Sequence, residues 1–216
     1  MAISSLLSSE DGGIRGRRIN GVVVGIVTDN DDPQKLGRVK VTFRWLSDDN
    51  GTDWARVANL YAGQDRGSLF TPEVEDEVLV AFEYGDINRP FVIGGLWNDE
   101  GKPPEPETDN SLKKIKTKSG HEIVLLDKDN KEKIEVKSKS GHKILLDDSS
   151  GSEKIKISDK TGNNLVLIDS VQNSIKITSN QKLNLQSSII EISADSVLSL
   201  KSGGVLNIQG AIVKIN

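Results

Sequence analysis

The chain has no cysteine, two histidines and one methionine, and aromatic residues make up 4% of its 216 positions. Without cysteine there are no disulfides, thiolate metal clusters or cysteine nucleophiles. No apolar run approaches the roughly 18 residues that a membrane-spanning helix needs. The first 13 residues lack a basic leader followed by an apolar segment. We therefore expect a soluble protein that is made without a signal peptide.

The scarce residue types are confined to the first half of the chain. All nine aromatic residues lie between Phe43 and Trp97, and every arginine precedes residue 90. Residues 1–108 carry 11 basic and 19 acidic side chains, a net charge of −8. Residues 109–216 carry 17 lysines and 13 acidic side chains, a net charge of +4. This division predicts two domains that are built differently.

The first half shows the two-residue alternation of β-strands and never the spacing of a helix. Strands are predicted near residues 19–26, 39–44, 54–60, 77–84 and 90–97. Their alternating apolar residues include Val22, Val24 and Ile26; Val39, Val41 and Phe43; and Val78, Val80 and Phe82. Short strands separated by glycines predict a closed five-stranded barrel of the OB type. We assign this barrel to residues 19–101, after an N-terminal lead of residues 1–18 and before a proline-rich linker of residues 102–110.

Three longer repeats follow the linker. Their openings, at Ser119, Ser140 and Thr161, recur every 21 residues. Each repeat is predicted to form two strands joined by a polar turn. A single-chain solenoid with 21-residue coils is the structural alternative for this segment.

The tail of the chain carries a shorter repeat. Five pairs of apolar residues are spaced i, i+2, and successive pairs are 7, 8, 8 and 7 residues apart. A solenoid turn within one chain needs roughly 18 residues, so a repeat of this length cannot close it. Three chains that each supply one face can. We therefore predict an all-β chain in which residues 111–216 form a trimeric intertwined β-helix, or β-prism. The predicted trimer core is Leu183, Leu185, Ile190, Ile192, Leu198, Leu200, Leu206 and Ile208.

Candidate catalytic and ligand-binding residues are few. His121 and His142 occupy the same position of successive repeats, which indicates an architectural role; an ion cage made of three copies is the alternative. Asp29, Asp31 and Asp32 do not form an EF-hand because Pro33 interrupts the pattern. The acidic charge of the barrel half opposes nucleic acid, and its aromatic residues are interpreted as barrel core or partner contacts. We predict no catalytic site, no metal, no cofactor and no enzyme activity.

The barrel residues carry a resemblance to a known family. They are Asn30-Asp31-Asp32-Pro33, Leu36 to Val41, Trp45-Leu46, Trp54 to Val57, Gly67, Pro72-Glu73-Val74, Asp76 to Phe82, Gly85-Asp86, Arg89-Pro90 and Gly94 to Asn98. This pattern resembles the OB domain of phage baseplate assembly protein V and of the VgrG spikes of type VI secretion. Two positions depart from it: Arg44 stands where the family often has proline, and Glu75 where it often has glycine.

The resemblance implies a function and partners. It implies the central spike of a contractile injection machine, a homotrimer that caps a tail hub protein with its barrel end and pierces the target envelope in transient contact with the membrane. It also implies a PAAR-type tip protein at the C-terminal end, contacted by Val213, Lys214, Ile215 and Asn216. Such a protein is made in the bacterial cytoplasm and becomes a component of a virion or of an extracellular or cytoplasmic particle.

Two other functions remain open from the sequence. A surface or carbohydrate-binding adhesin would display the barrel on a β-solenoid stalk, and its barrel would bind glycans. A cell-wall hydrolase would release sugar or peptide from peptidoglycan, although no lysozyme-like segment separates the barrel from the repeats.

Overall fold

The computed structural model describes residues 18–45, 51–104 and 109–215. The chain divides into two compact units, Met1–Pro106 and Glu107–Asn216. The predicted lead lies outside the described residues except for Arg18, and so do residues 105–108 of the predicted linker. The finer domain boundaries drawn from the sequence stay predictions.

The first unit is a closed barrel of short strands. Its strands are β1 (Val22–Asp29), β2 (Lys40–Thr42), β3 (Arg56–Val57), β4 (Ala62–Gly63), β5 (Arg66–Gly67), β6 (Glu77–Phe82) and β7 (Pro90–Leu96). β1 pairs antiparallel with β2 and β6, β6 pairs antiparallel with β7, and β7 runs parallel to β3. A bridge between Val39 and Ala55 closes the ring from β2 to β3. This strand order confirms the predicted OB barrel.

The barrel core consists mainly of valine. The buried side chains are Val27, Val39, Val41, Phe43, Ala55, Val78, Val80, Phe82 and Val92. The alternation in β2 and β6 therefore predicted the inward face correctly. In β1 the inward positions are Gly25 and Val27, whereas Val22 and Val24 are exposed. A Cβ on Gly25 would lie 2.3 Å from Cγ1 of Val41, so side chains of β2 occupy the space beneath this strand.

Most aromatic residues lie outside this core. All nine are within the described residues, and among them only Phe43 and Phe82 are buried. The Trp45 ring stacks on Phe43 with 5.6 Å between centroids and stays about half exposed. Trp97 and Tyr84 are more exposed still. From the sequence, the aromatic residues are interpreted as barrel core or as partner contacts. The first interpretation applies to two of the nine, Phe43 and Phe82.

The second unit is an antiparallel meander. Its strands are β8 (Leu112–Lys116), β9 (Glu122–Leu126), β10 (Lys133–Lys137), β11 (Lys143–Asp147), β12 (Lys154–Ser158), β13 (Leu165–Asp169) and β14 (Ser174–Thr178). They lie side by side in chain order, and each pairs antiparallel with the next. Each 21-residue repeat is thus a hairpin plus the turn that follows it, as the two-strand interpretation predicted. The single-chain solenoid is wrong for this segment, because its coils would require parallel neighbours.

The tail of the second unit differs from the barrel and from the meander in its lack of pairing. Residues 179–215 are described, and they contain no strand in this chain. Every residue from 181 to 215 is exposed. The apolar pairs of the tail therefore have neither a ladder nor a core within the region of the chain that the structure describes.

Candidate functional site

The meander has one face made almost entirely of apolar side chains. Cross-strand register aligns them in two rows. The first row is Ile115, Ile123, Val136, Ile144, Ile157, Val166 and Ile177, and the second is Leu125, Ile134, Leu146, Ile155, Ile168 and Ile175. We call these rows the apolar face. Apart from the half-buried Val166, its side chains are 37 to 72% exposed.

The opposite side of the same strands, here the charged face, carries ion pairs. Lys143 Nζ lies 2.8 Å from a Glu135 carboxylate oxygen, and Lys154 Nζ lies 3.1 Å from Asp147. The hydroxyl of Ser149, and then the ammonium of Lys154, hold the pKa of the Asp147 carboxyl below its usual value. These groups are stable in water, because both charges stay accessible and paired. The apolar face is therefore the side of the sheet that needs a cover.

The tail presents a further set of uncovered apolar residues. The eight predicted trimer-core side chains, from Leu183 to Ile208, are 52 to 66% exposed in the single chain. Of the predicted tip contacts, Val213 and Ile215 are exposed, and Asn216 lies outside the described residues. The assignment of these residues to a trimer core and a tip contact stays a prediction.

Sequence reasoning missed two sets of apolar residues with the same character. The first is the apolar face, whose members were visible as alternating residues in the three long repeats. The second is a further apolar residue directly before four of the tail pairs: Ile189, Val197, Val205 and Ile212. These four are 75 to 83% exposed, more than every paired residue of the tail except Ile215. Their spacings of 8, 8 and 7 residues were the available signal.

The two histidines lie in the turns that join the strands. Nδ1 of His121 accepts a hydrogen bond from the backbone N–H of Lys139, at 3.3 Å, in the next turn along the same edge. Asn164 makes a similar bond further along this edge, one residue beyond the repeated position, where its Oδ1 accepts from the N–H of Asn180 at 3.0 Å. The bond of His121 joins two turns of the sheet, and the architectural role of the repeated position stays a prediction. No group of three or more ligating side chains among the described residues could hold a metal ion.

The loop between β1 and β2 explains several residues of the barrel motif. Asp32 is only 3% exposed, and its carboxylate accepts hydrogen bonds from Nε and Nη2 of Arg38 at 3.0 and 2.7 Å. It also accepts from the backbone N–H groups of Gln34 and Leu36. The Arg38 guanidinium accordingly holds the pKa of Asp32 far below its usual range. A permanently charged, fully paired carboxylate fixes a loop and has no proton to exchange.

These features define the class of protein. It is an all-β chain in which an OB barrel is followed by an antiparallel meander and by a tail whose apolar side chains have no partner among the described residues. No described helix has the length and the hydropathy needed to cross a membrane. The most distinctive described features of the chain are exposed apolar surfaces, on the meander and along the tail.

Comparison with known proteins agrees with this class. Residues 23–97 match the model of the type VI secretion system/phage-baseplate injector OB domain. The barrel is therefore an OB domain of that family, and the resemblance predicted from its residues is confirmed.

Several spike proteins are similar to this chain. The type VI secretion system spike protein VgrG1a of Pseudomonas aeruginosa is 32% identical over 136 residues, which cover 57% of this chain and 21% of that protein. VgrG1c of the same organism is 37% identical over 42% of this chain and 13% of its own length. VgrG3 of Vibrio cholerae is 33% identical over 40% of this chain and 9% of its own length. The chain thus spans about a fifth or less of the length of these relatives.

Proposed function

We propose that this protein is the trimeric central spike of a contractile injection machine, a phage tail or a related particle. The barrel caps the tail hub protein, and the sheet and tail of three chains form the shaft that pierces the target envelope. The role is structural and involves no catalysis. The observation that carries the proposal is the apolar face, which a soluble monomer would leave in water.

The size of the apolar face argues for permanent association. Its two rows contain 13 aliphatic side chains in register across the seven strands of the meander. Soluble monomers rarely expose a contiguous apolar patch larger than a few hundred Å², and burial contributes about 25 cal/mol for each Å² removed from water. Three copies that turn these faces toward a common axis cover them all.

The tail favours three copies over two. A strand advances about 3.3 Å per residue, so a repeat of about eight residues spans roughly 26 Å, the length of one side of a prism and its corner. Each chain then supplies one side of every layer, and its strands find their hydrogen-bond partners in the other two chains. The shaft resists bending because its ladder and its core both run between chains.

The same proposal covers partners and location. A PAAR-type tip protein contacts Val213, Lys214, Ile215 and Asn216, of which the apolar Val213 and Ile215 are exposed in the single chain. The chain is made in the bacterial cytoplasm and incorporated into a virion or an injection particle, and it contacts the target membrane only during firing. The relatives are themselves named as type VI spike proteins.

The test is the solution mass of the 23.5 kDa chain, measured by light scattering on the wild type and on two variants with the same substitution at neighbouring positions. Ile157→Lys places an ammonium in the centre of the apolar face, whereas Ser158→Lys places it on the charged face of the same strand. We expect three chains per particle for the wild type and for Ser158→Lys, and dissociation for Ile157→Lys. A wild-type monomer would overturn the trimer, and equal masses for both variants would show that the apolar face is not its interface.

A further inference from the structure

A groove on the outside of the barrel combines aromatic rings with cationic side chains. It has a volume of about 510 Å³, and its walls include Leu36, Arg38, Trp54, Arg56 and Phe91. Each of the two rings carries a cation. The Arg56 guanidinium carbon lies 4.4 Å from the Phe91 ring centroid, and Lys40 Nζ lies 4.7 Å from the Trp54 centroid. Cations held against rings in this way are fixed in place and only partly hydrated.

The charges of the groove are not balanced. Arg38 is neutralised by Asp32, and Arg89 lies 3.2 Å from the carboxylate of Glu83, the one acidic side chain among the described residues of the wall. Arg56 makes no ion pair with any residue that the structure describes. It is therefore an exposed cation without a counter-charge in a groove that is otherwise balanced.

Arg56 lies beside an arginine that already has a partner. The bridge between Val39 and Ala55 is antiparallel, so Arg38 and Arg56 flank it as cross-strand neighbours. The carboxylate of Asp32 is bound by Arg38, which leaves Arg56 without a counter-charge among the described residues. A carboxylate beside Arg56 would accept two hydrogen bonds from its guanidinium fork. The apolar wall at Leu36 and Phe91 gives an adjoining apolar side chain a place to bind.

From these observations we infer that the groove binds a short acidic peptide segment of a partner protein, with its carboxylate on Arg56 and an apolar neighbour against Leu36 and Phe91. Nucleic acid fits less well, because a polyanion needs several unpaired cations, and the other two arginines of the described wall, Arg38 and Arg89, already have carboxylate partners. All residues of the site belong to the first compact unit. The inference therefore stands or falls independently of the trimer.

The experiment follows the three tryptophans of the full-length protein, labelled with 5-fluorotryptophan, by ¹⁹F NMR. Trp45→Phe and Trp97→Phe assign the resonance of Trp54. The probes are the capped peptides acetyl-Leu-Glu-Leu-amide and acetyl-Leu-Gln-Leu-amide, which differ only in the carboxylate. We expect the glutamate peptide to shift the Trp54 resonance saturably, and the glutamine peptide to bind about fivefold more weakly, as for a solvent-accessible charge pair.

Arg56→Gln should weaken the binding of the glutamate peptide by a similar factor. Arg66→Gln is the matched control, because Arg66 also lies over a ring, 6.0 Å from the Tyr61 centroid, but outside the groove. Unchanged Trp45 and Trp97 resonances show that each variant is folded. Equal binding of the two peptides, equal effects of the two arginine variants, or no shift at all would overturn the inference. A ten-residue oligothymidylate that shifts Trp54 at lower concentrations than the glutamate peptide would instead make the groove a nucleic-acid site.

Discussion

Glu75 adopts a backbone conformation that favours glycine. Its φ is 76°, in the turn where Asp76 N–H donates to the carbonyl of Glu73 and the N–H of Glu75 donates to Val27. A residue with a Cβ loses about 1 kcal/mol in this region of φ compared with glycine. We therefore predict that Glu75→Gly raises the free energy of unfolding of the barrel by about 1 kcal/mol, measured by urea unfolding.

Glu77 provides the comparison for that variant. It lies two residues further on, in the extended backbone of β6, where it pairs with Ile26 and Leu96. Glu77→Gly should lower the free energy of unfolding by roughly 0.5 to 1 kcal/mol, because glycine raises the entropy of the unfolded chain and relieves no strain in an extended strand. If both variants shift the urea midpoint in the same direction, the conformational explanation fails.

Gly25 and Gly94 are both strand glycines, but their surroundings differ. A Cβ on Gly25 would lie 2.3 Å from Cγ1 of Val41 and 3.0 Å from Cε1 of Phe43, while one on Gly94 would meet nothing within 4 Å. Gly25→Ala should therefore destabilise the barrel by about 1 to 3 kcal/mol, the usual cost of overpacking. Gly94→Ala should have little effect. Thermal unfolding of the two variants makes the comparison, and equal midpoints would contradict it.

The turn between β12 and β13 makes the sheet sensitive to acid. The Asp159 carboxylate accepts hydrogen bonds from the Thr161 hydroxyl and from the side-chain amide of Asn164. These bonds, that of Thr161 first, lower the pKa of Asp159 from 3.8 to about 2. A lowered pKa contributes stability that is present above the ordinary value and is lost as the pH falls through the folded one.

The thermal midpoint of the sheet should therefore fall between pH 3.8 and about 2, and Asp159→Asn should reduce this dependence. Asp129→Asn, in another turn of the same sheet, shows what removal of a carboxylate does by itself. Parallel midpoint curves for the wild type and both variants would show that Asp159 does not contribute.

At the scale of elements, the sequence predicted strands better than it predicted faces. Alternation placed Val39, Val41 and Phe43 in the core of the barrel because their neighbours are polar. In β1 it selected Val22, Val24 and Ile26, which is not the inward set. Val22, Val23 and Val24 are all apolar, so both faces satisfy the pattern. The inward face of β1 includes Gly25, and the space beneath this glycine is filled by the side chains of Val41 and Phe43. The orientation of β1 therefore depends on residues outside β1.

The repeats show a second limit of the same kind. A period of 21 residues is compatible with a coil of a solenoid and with a hairpin plus a turn. The polar turns between the paired strands favoured the hairpin, and the antiparallel register of β9 with β10 bears this out. The trimer-core prediction stopped short of these strands because it relied on the eight-residue spacing alone. The larger surface, which includes the apolar face of the meander, becomes visible only from the exposure of each side chain in the folded chain. The sequence does not contain that information.

At the scale of the molecule, the exposed apolar side chains of the tail yield a prediction about assembly. Ile215 is the most exposed of the paired apolar residues of the tail, at 89%. Ile215→Asp should weaken the binding of a PAAR-type tip protein by about tenfold, as expected when a charge replaces a buried isoleucine at an interface, measured by biolayer interferometry.

Lys201→Asp, an exposed change earlier in the tail, introduces the same side chain away from that end. It should leave tip binding unchanged. Equal losses for the two variants would assign the effect to the tail as a whole, and no loss for Ile215→Asp would remove this residue from the tip contact.

The meander and the tail differ in how far apart along the chain their contacts lie. Each strand of the meander pairs with the strand next to it in sequence, across turns of a few residues. Ladders of this kind close quickly, because little loop entropy is lost before the first contacts form. The described residues of the tail have no strand partner within their own chain, and in the trimer that we propose they would find one only through encounters between molecules. Folding of that trimer would then be divided in time: a fast step within one chain sets the register, and a slower step, dependent on protein concentration, extends it along the tail.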